Sequence, residues 1–299
     1  MNLIKPKKLK TGDKISIIAP SGNVNKEKIL AGKKYFEELG YKVELGENIF
    51  NSEKYLSASD ELRTKDIHSA FSDTETKAII CARGGYGALR LVNTIDYNVI
   101  KNNPKIFCGY SDATVLNIMF LKKAGLITFS GPMIESDFSA IEINKFTKDE
   151  FFNTLTSIQK EISANNPKIF GNNLKAEGII LGGNLTTLTS LCGLDFFPDK
   201  NIILFAEDLN EPIYKIDRCF TQLLNINKFR KNITAICLGD FLGVNEDDIN
   251  DYFAKLSTEL NVPIIKGFPL SHTDTKTTLP IGAMGRLNET TLLINDYLT

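Results

Sequence analysis

Histidine is scarce in this sequence, which contains only two among its 299 residues, His68 and His272. A serine hydroxyl is a weak nucleophile at neutral pH until a neighbouring base removes its proton, and imidazole often fills that role because its pKa lies near the working pH. If the chain carries a nucleophilic serine, its base is therefore one of these two. Helical spacing predicts that His68 lies on the surface, whereas His272 follows a short strand in a loop and is the better candidate.

The sequence also lacks a long apolar run and a surplus of charge of one sign. No window reaches the roughly 18 apolar residues of a membrane span, and the first residues include lysines but no apolar signal segment. We therefore expect a cytoplasmic protein that has no membrane partner. The 35 basic and 36 acidic residues give a net charge of −1, which argues against a nucleic-acid partner because a phosphate backbone binds cationic surfaces.

Cysteine is present, but its pattern indicates no site. The five cysteines are an odd number, widely spaced, and form no C-x-x-C pair. This argues against the disulfide framework of a small secreted domain and against a zinc site of the usual spacing. The cysteines are therefore expected to be reduced and structural.

The sequence does contain a regular alternation of short β-branched runs and helical patterns, which predicts an α/β fold with a parallel sheet. In the first half, strands are predicted at 14–20, 42–45, 77–81 and 105–108, with helices between them. Each strand ends in a loop that can hold a site. The length and the globular composition, 42% hydrophobic and 24% charged, indicate two domains.

Polar turn-forming residues near 161–174 predict a linker between these domains. The expected division is an N-terminal domain over 1–160 and a C-terminal domain over 175–299. Strands are predicted in the second half at 176–181, 202–206, 234–238 and 263–266. The chain is expected to close with a hairpin formed by residues 279–283 and 291–294.

Ser111 stands in the segment Gly109-Tyr110-Ser111-Asp112-Ala113-Thr114, between an apolar strand and an apolar helix. A tight strand-to-helix turn holds a serine hydroxyl up and lets the following backbone N–H, here that of Asp112, point at a developing oxyanion. The pattern is G-x-S-x-A and so differs from the common G-x-S-x-G elbow. The alternative is that Ser111 only caps the helix that follows.

A glycine-rich segment, Arg83-Gly84-Gly85-Tyr86-Gly87, follows the strand that ends at Cys81. Its backbone N–H groups can approach a ligand closely, which makes Gly85 the preferred second oxyanion donor. A phosphate cradle is a rival interpretation, although neither G-x-G-x-x-G nor a lysine-bearing phosphate loop is present. A simple tight turn is the third alternative.

Glu207 ends a strand whose last residues are followed by further acids, Asp208 and Glu211. A carboxylate in this place can accept a hydrogen bond from the Nδ1–H of a histidine and stabilise the imidazolium that forms during proton transfer. Because Asp208 and Glu211 are better explained as caps of the next helix, Glu207 is the predicted partner of His272.

Taken together, these segments resemble the LD-carboxypeptidase family of serine peptidases, which includes the microcin immunity proteins. The likeness covers essentially the whole chain and rests on ordered motifs: 18–22, 82–87, 109–114, Gly182-Gly183-Asn184-Leu185, Glu207-Asp208 followed by 216–218, and His272 before 279–282. One departure is visible, because Ser271 stands where the family usually has glycine.

The resemblance implies a flavodoxin-like or Rossmann-like N-terminal domain and a smaller C-terminal α/β domain of the swivelling type. It further implies a triad of Ser111, Glu207 and His272 across the two domains, no metal or cofactor, and a homodimer. The implied reaction is hydrolysis of an L,D-peptide bond, releasing terminal D-alanine from a muropeptide stem.

Three further residues are predicted to bind this small peptide substrate: Arg83, Tyr86 and Asn184. Arg83 is a candidate because a guanidinium matches the geometry of a terminal carboxylate, although a solvated surface arginine is an equal alternative. Two other functions stay open at this point. One is cleavage of a peptide–nucleotide antibiotic, and the other is a binding protein without catalysis.

Overall fold

The computed structural model describes residues 2–270 and 272–299, and its strands form two separate sheets. Ser271, the position of the departure from the family pattern, lies outside the described residues. Within the described residues, no helix combines the length and the apolar character needed to cross a membrane.

The first half of the chain alternates strands and helices, as predicted. The elements are β1 (Lys14–Ile18), α1 (Lys26–Glu38), β2 (Lys42–Leu45), α2 (Asp60–Ser72), β3 (Thr76–Cys81), α3 (Tyr97–Asn102), β4 (Ile106–Cys108), α4 (Thr114–Met119), β5 (Thr128–Ser130) and α5 (Lys145–Thr156).

The second half contains a longer series of strands. The elements are β6 (Gln159–Ser163), β7 (Lys168–Phe170), β8 (Lys175–Asn184), α6 (Leu185–Thr189), β9 (Ile202–Leu209), α7 (Ile213–Leu224), α8 (Asn227–Asn232), β10 (Ile233–Leu242), α9 (Glu246–Leu260), β11 (Ile264–Lys266), β12 (Leu279–Ile281), β13 (Met284–Asn288) and β14 (Thr291–Asn295).

The first sheet has the strand order β12-β5-β4-β3-β1-β2, and its strands β1 to β5 are parallel. All three residues of β4 are buried, as are Ile15, Ile17 and Ile18 of β1. Burial on both faces is typical of a parallel strand covered by helices, and it explains the uninterrupted apolar runs of the sequence. The carboxyl ends of β1, β3 and β4 therefore lie side by side at one edge, where loops can form a site.

The second sheet has the order β6-β14-β13-β8-β9-β10-β11-β7. Its centre, β8 to β11, is parallel, and antiparallel strands flank it on both sides. The predicted α/β class is confirmed, with a parallel-sheet N-terminal portion and a second sheet in the C-terminal portion.

Two segments differ from the predictions, the expected linker and the expected closing hairpin. The segment 161–174, expected as a linker, contains the end of β6 and the whole of β7, both of which belong to the second sheet. The closing hairpin joins β13 to β14, whereas residues 279–281 form β12 and pair with β5 in the first sheet. The hairpin prediction is wrong because the short apolar run at 279–281 fits an edge strand of either sheet equally well. The domain boundaries themselves stay a prediction.

The chain thus returns to the first sheet just after the loop that carries His272. It then crosses to the second sheet at Gly282, whose N–H donates to the carbonyl oxygen of Ile180 in β8 at 2.8 Å. The loop that carries His272 is therefore anchored at both ends, by β11 in the second sheet and by β12 in the first.

Candidate active site

Ser111 lies in the turn between β4 and α4, and its backbone adopts a left-handed conformation with a φ of +59°. This conformation is uncommon for a residue with a Cβ and costs about 1–3 kcal/mol, so the surrounding structure must hold it. Ser111 begins a short 3₁₀ turn, and the cap position of α4 is occupied by Ala113. The alternative in which Ser111 is merely a helix cap is therefore wrong, and the strained turn is one that exposes a hydroxyl.

The carboxylate of Asp112 fixes this turn to two neighbouring loops. Its Oδ2 accepts hydrogen bonds from the hydroxyl of Ser21, at 2.6 Å, and from the backbone N–H of Ala88, at 2.8 Å. Ser21 follows β1 and Ala88 follows β3, so the three strand ends are joined through one oxygen atom. Burial raises the pKa of Asp112, while the hydrogen bonds from Ser21 and Ala88 oppose that shift.

The glycine-rich loop after β3 packs directly against the nucleophile turn. A Cβ added to Gly84 would lie 2.9 Å from the Cβ of Ser111 and 3.0 Å from its Oγ, so only glycine allows this approach. Gly85 adopts a φ of +111°, a conformation that also favours glycine. The run of glycines in the sequence predicts Gly85 as an oxyanion donor but does not indicate that Gly84 makes the contact with Ser111.

Glu207 and His272 are joined by a hydrogen bond of 2.7 Å between Oε2 of the glutamate and Nδ1 of the imidazole. The Glu207 side chain is 5% exposed and that of His272 is 16% exposed. Burial raises the pKa of Glu207, and the contact with His272 opposes that shift. A buried carboxylate on Nδ1 fixes the orientation of the ring and leaves Nε2 free to exchange a proton.

A close backbone approach brings the histidine loop to Glu207. A Cβ added to Gly239 of β10 would lie 1.5 Å from the carbonyl oxygen of Leu270 and 3.1 Å from the Cβ of Glu207. A side chain at this position would therefore force the loop away from the sheet.

Ser111 and His272 line the same cleft, which has a volume of about 250 Å³. In the part of the chain that the structure describes, no hydrogen bond joins their side chains, and such bonds often form only when substrate is bound. Tyr110 contacts the imidazole with its ring, at a centroid distance of 5.0 Å and an interplanar angle of 66°. The rest of the lining consists of Lys28, Arg83, Gly84, Gly85, Met133, Glu135 and Ser136.

Of the three residues predicted to bind substrate, only Arg83 lines this cleft. Its Nη1 donates to the carbonyl oxygen of Asn23 at 3.0 Å and lies 3.5 Å from Oε1 of Glu135, while its side chain is 40% exposed. Tyr86 is exposed, and its ring is tilted by 49° relative to that of Tyr55, with the ring centroids 6.0 Å apart.

Asn184 is buried at the start of α6. Its Oδ1 accepts from the N–H of Thr187 at 3.1 Å and its Nδ2 donates to Asp208 at 2.9 Å. Both ends of the amide are therefore engaged in the fold beside Glu207, and a direct contact with substrate, as predicted from the sequence, is not supported.

Two other predictions about polar residues need correction. His68 is partly buried, and its Nε2 accepts a hydrogen bond from the N–H of Asp96 at 2.9 Å, so it is structural rather than a free surface residue. Asp208 accepts from the N–H of Thr186 at 2.9 Å and so supports α6, whereas the prediction had it cap α7. Among residues 2–270 and 272–299, no cluster of three His, Cys, Asp or Glu side chains is suited to a metal ion.

The fold and the site together describe a two-sheet α/β protein whose cleft contains a strained serine and a carboxylate-paired histidine. Two family models match this chain: the LD-carboxypeptidase N-terminal domain over residues 15–131 and the LD-carboxypeptidase C-terminal domain over residues 177–287. The chain belongs to the LD-carboxypeptidase family, as the sequence resemblance predicted.

The relatives carry two kinds of name, carboxypeptidase and MccF-like protein. A probable murein peptide carboxypeptidase of Bacillus subtilis (strain 168) is 35% identical, over 95% of this chain and 91% of the relative. A crystal structure of muramoyltetrapeptide carboxypeptidase from Oxalobacter formigenes has 32% identity and a TM-score of 0.86, covering 96% of this chain and 100% of that one. An MccF-like protein from Bacillus anthracis has 30% identity and a TM-score of 0.89, covering 98% and 99%.

Proposed function

We propose that this chain is a serine carboxypeptidase that hydrolyses an L,D-peptide bond and releases terminal D-alanine from muropeptide stems. The observation that carries the proposal is the hydrogen bond between Glu207 and His272 at the cleft where the strained Ser111 lies. The names of the murein peptide relatives support the substrate class.

The reaction begins when Nε2 of His272 takes the proton of the Ser111 hydroxyl. The Oγ of Ser111 attacks the carbonyl carbon of the L,D-amide and forms a tetrahedral intermediate. The imidazolium is stabilised by Glu207, whose carboxylate stays ionised and accepts a hydrogen bond from Nδ1–H throughout. When the C–N bond breaks, Nε2 gives its proton to the departing amine of D-alanine. A water molecule, deprotonated by the same nitrogen, then hydrolyses the acyl ester and restores Ser111.

The oxyanion of the intermediate is held by the backbone N–H groups of Asp112 and Gly85. Both belong to turns with fixed geometry, since Asp112 is tied through its carboxylate and Gly85 lies in the glycine-rich loop. Each such donor is worth on the order of 10²–10³ in rate, because it acts on charge that appears only during the reaction.

Arg83 binds the terminal carboxylate of the substrate. Its guanidinium lines the cleft together with Lys28, so two cationic groups face the place where the leaving D-residue lies. The carboxylate of Glu135 beside Arg83 orients the guanidinium without burying it. The homodimer and the cytoplasmic location expected from the sequence stay predictions.

The direct test is incubation with the tetrapeptide L-Ala-γ-D-Glu-meso-diaminopimelate-D-Ala, with the product read by mass spectrometry. We expect loss of one alanine, and we expect Ser111→Ala to lower the rate by about 10⁴-fold or more because the nucleophile is gone. The same peptide ending in L-alanine is the control and should stay intact. Alanine release that persists in the variant would show that Ser111 is not the nucleophile.

A second candidate function is cleavage of a peptide–nucleotide antibiotic, which the similarity to an MccF-like protein favours. An aminoacyl sulfamoyl adenosine is a suitable probe, because a solved structure of the immunity protein MccF contains aspartyl sulfamoyl adenosine. If this activity dominates, the wild-type protein should release the amino acid from the probe faster than it releases alanine from the tetrapeptide. A protein that turns over neither compound, and that a serine-reactive phosphonate does not label, would instead be a binding protein.

A further inference from the structure

A buried ion pair lies behind the proposed catalytic residues and has no part in the mechanism above. Lys276 and Asp137 contact each other through Nζ and Oδ1, and their side chains are only 6% and 5% exposed. Removing two charges from water costs several kcal/mol per ion unless further bonds compensate. The carboxylate of Asp137 has such bonds, because it also accepts from the N–H of Met133 at 2.8 Å and from the hydroxyl of Ser136 at 2.6 Å.

The ion pair joins two segments that both contribute residues to the cleft. Lys276 follows His272 by four residues on the same loop, just before β12. Asp137 belongs to the helical turn Ile134–Phe138, whose residues Glu135 and Ser136 line the cleft. The pair therefore sets the position of the histidine loop relative to the first half of the chain.

Tyr110 connects this pair to the reacting groups. The ammonium of Lys276 lies 4.8 Å from the centroid of the Tyr110 ring, within the range of a cation–π contact. The same ring contacts the imidazole of His272 at 5.0 Å, and its hydroxyl donates to Ser136 at 3.3 Å. Since Tyr110 directly precedes Ser111, one side chain touches the base and adjoins the nucleophile in sequence.

Lys276 also lies near Glu207, the hydrogen-bond partner of His272. Glu207, Lys276 and Tyr110 line one small, partly open pocket of about 20 Å³. A space of this size holds no more than about one water molecule, so these groups lie close to one another. Burial lowers the pKa of Lys276, but the carboxylate of Asp137 and the neighbouring Tyr110 together outweigh that effect and raise the pKa, so the side chain stays cationic.

We propose that Lys276 is a positioning residue for His272: its ion pair with Asp137 and its contact with Tyr110 hold the ring of Tyr110 against the imidazole and so direct Nε2 toward Ser111. This inference rests on the proposed roles of Ser111 and His272. The loop backbone has its own support, because the hydroxyl of Thr147 accepts from the N–H of Lys276 at 2.9 Å and donates to the carbonyl oxygen of Asp274 at 2.5 Å. The side chain of Lys276 therefore acts mainly on the side chains it touches.

The test compares three variants with the wild type on the tetrapeptide. Lys276→Met should lower kcat by about tenfold to a hundredfold with KM changed less than about threefold, because a small misplacement of the base costs rate rather than binding. Lys276→Arg keeps the charge and should recover most of the loss. Lys160→Met is the matched control, since Lys160 is also buried and paired, in its case with Glu150, but lies outside the cleft lining.

A merely structural role predicts a different outcome. Lys276→Met and Lys160→Met would then lower thermal stability alike and leave kcat per folded protein unchanged, and this result would overturn the proposal. Failure of Lys276→Arg to restore kcat would overturn it as well.

A spectroscopic readout separates this inference from the proposed function. With only two histidines in the chain, the imidazole proton resonances can be assigned with a His68→Gln variant. We expect a downfield Nδ1 proton of His272 in the wild type that shifts in Lys276→Met and stays in place in Lys160→Met. If no tetrapeptide is cleaved, the proposed function fails, while an unmoved resonance in Lys276→Met is the result that rejects the positioning role.

Discussion

The two halves of the site are held in place by different means. The nucleophile turn is held by loops of its own sheet, since Ser21 and Ala88 both donate to Asp112 and Gly84 packs on Ser111. The base is held by residues from both sheets, because Tyr110 follows a strand of the first sheet and Glu207 lies on a strand of the second. Its carboxylate partner lies 65 residues earlier in the chain, on a strand of the other sheet.

This difference shows which part of the geometry is local. A strand-turn-helix unit carries the strain at Ser111 within a few residues, so the unit can form wherever its sheet forms. The direction of the imidazole depends on how the two sheets pack, through the passage of the histidine loop from β11 in one sheet to β12 in the other. We therefore expect substitutions on the base side to change the rate without changing the nucleophile turn.

The largest effect in this comparison is expected from Glu207→Gln. Glutamine has nearly the same size but no charge, so it cannot stabilise the imidazolium and can select the wrong tautomer of His272. We predict a fall in kcat on the tetrapeptide of about 10³–10⁴-fold, with KM changed only a few-fold. Steady-state kinetics on the purified variant measure both quantities.

Glu211→Gln is the control for this experiment. Glu211 lies just beyond β9 and pairs with Lys215 at 2.8 Å, outside the cleft lining. Its substitution should leave kcat within about twofold of the wild type, because only an ion pair outside the cleft is lost. A Glu207→Gln enzyme that keeps more than a tenth of wild-type kcat would mean that the carboxylate does not assist the base.

The same contrast explains what could be predicted from the sequence. The strands of the first half and the turn at Ser111 have local signals, because apolar runs, turn residues and glycines lie close together in the chain. Pairings between distant segments have none. Residues 279–281 are three buried residues that fit the edge of either sheet, and only packing selects the antiparallel pairing with β5.

The ion pair behind the site illustrates the same limit more sharply. Lys276 and Asp137 are 139 residues apart, and each reads in the sequence as an ordinary charged residue of a polar segment. Their burial becomes visible only when the chain is folded. The local motif around Ser111 predicted the tight turn, whereas its left-handed backbone and the environment of His272 are visible only in the structure.

A smaller effect is expected on the nucleophile side from Gly84→Ala. Gly84 does not have a left-handed φ, so alanine is allowed by the backbone and the change acts through contact alone. The new methyl group would press on Ser111 and displace its hydroxyl, which we expect to lower kcat about 10²-fold. Labelling by a serine-reactive phosphonate should slow by a similar factor.

Gly193→Ala supplies the matched comparison. Gly193 has a φ of +103° and nothing within 4 Å of an added Cβ, so alanine there strains the backbone away from any contact. This variant should lose stability, measured as the melting temperature, and keep its labelling rate. Equal labelling rates in Gly84→Ala and the wild type would show that the hydroxyl is not confined by the glycine-rich loop.

The smallest effect is expected from Asp112→Asn, which tests whether the nucleophile turn needs a charge or only an acceptor. Ser21 and Ala88 donate to the same oxygen, Oδ2, and an amide oxygen can replace it. We therefore expect Asp112→Asn to keep kcat within about tenfold of the wild type. Asp112→Ala, which removes the acceptor, should lower kcat by about 10²-fold because the oxyanion N–H is no longer fixed.

The pH dependence of stability gives the sign of the charge effect at Asp112. Because burial raises its pKa, the folded protein holds this proton more tightly than the unfolded chain, where an aspartate titrates near pH ~4. The stability that this provides is fully present below the unfolded pKa and is lost as the pH rises through the folded pKa. The melting temperature of the wild type should therefore fall relative to that of Asp112→Asn as the pH is raised from about 4 to 7. A constant difference across this range would mean that Asp112 has the same pKa in the folded and the unfolded protein.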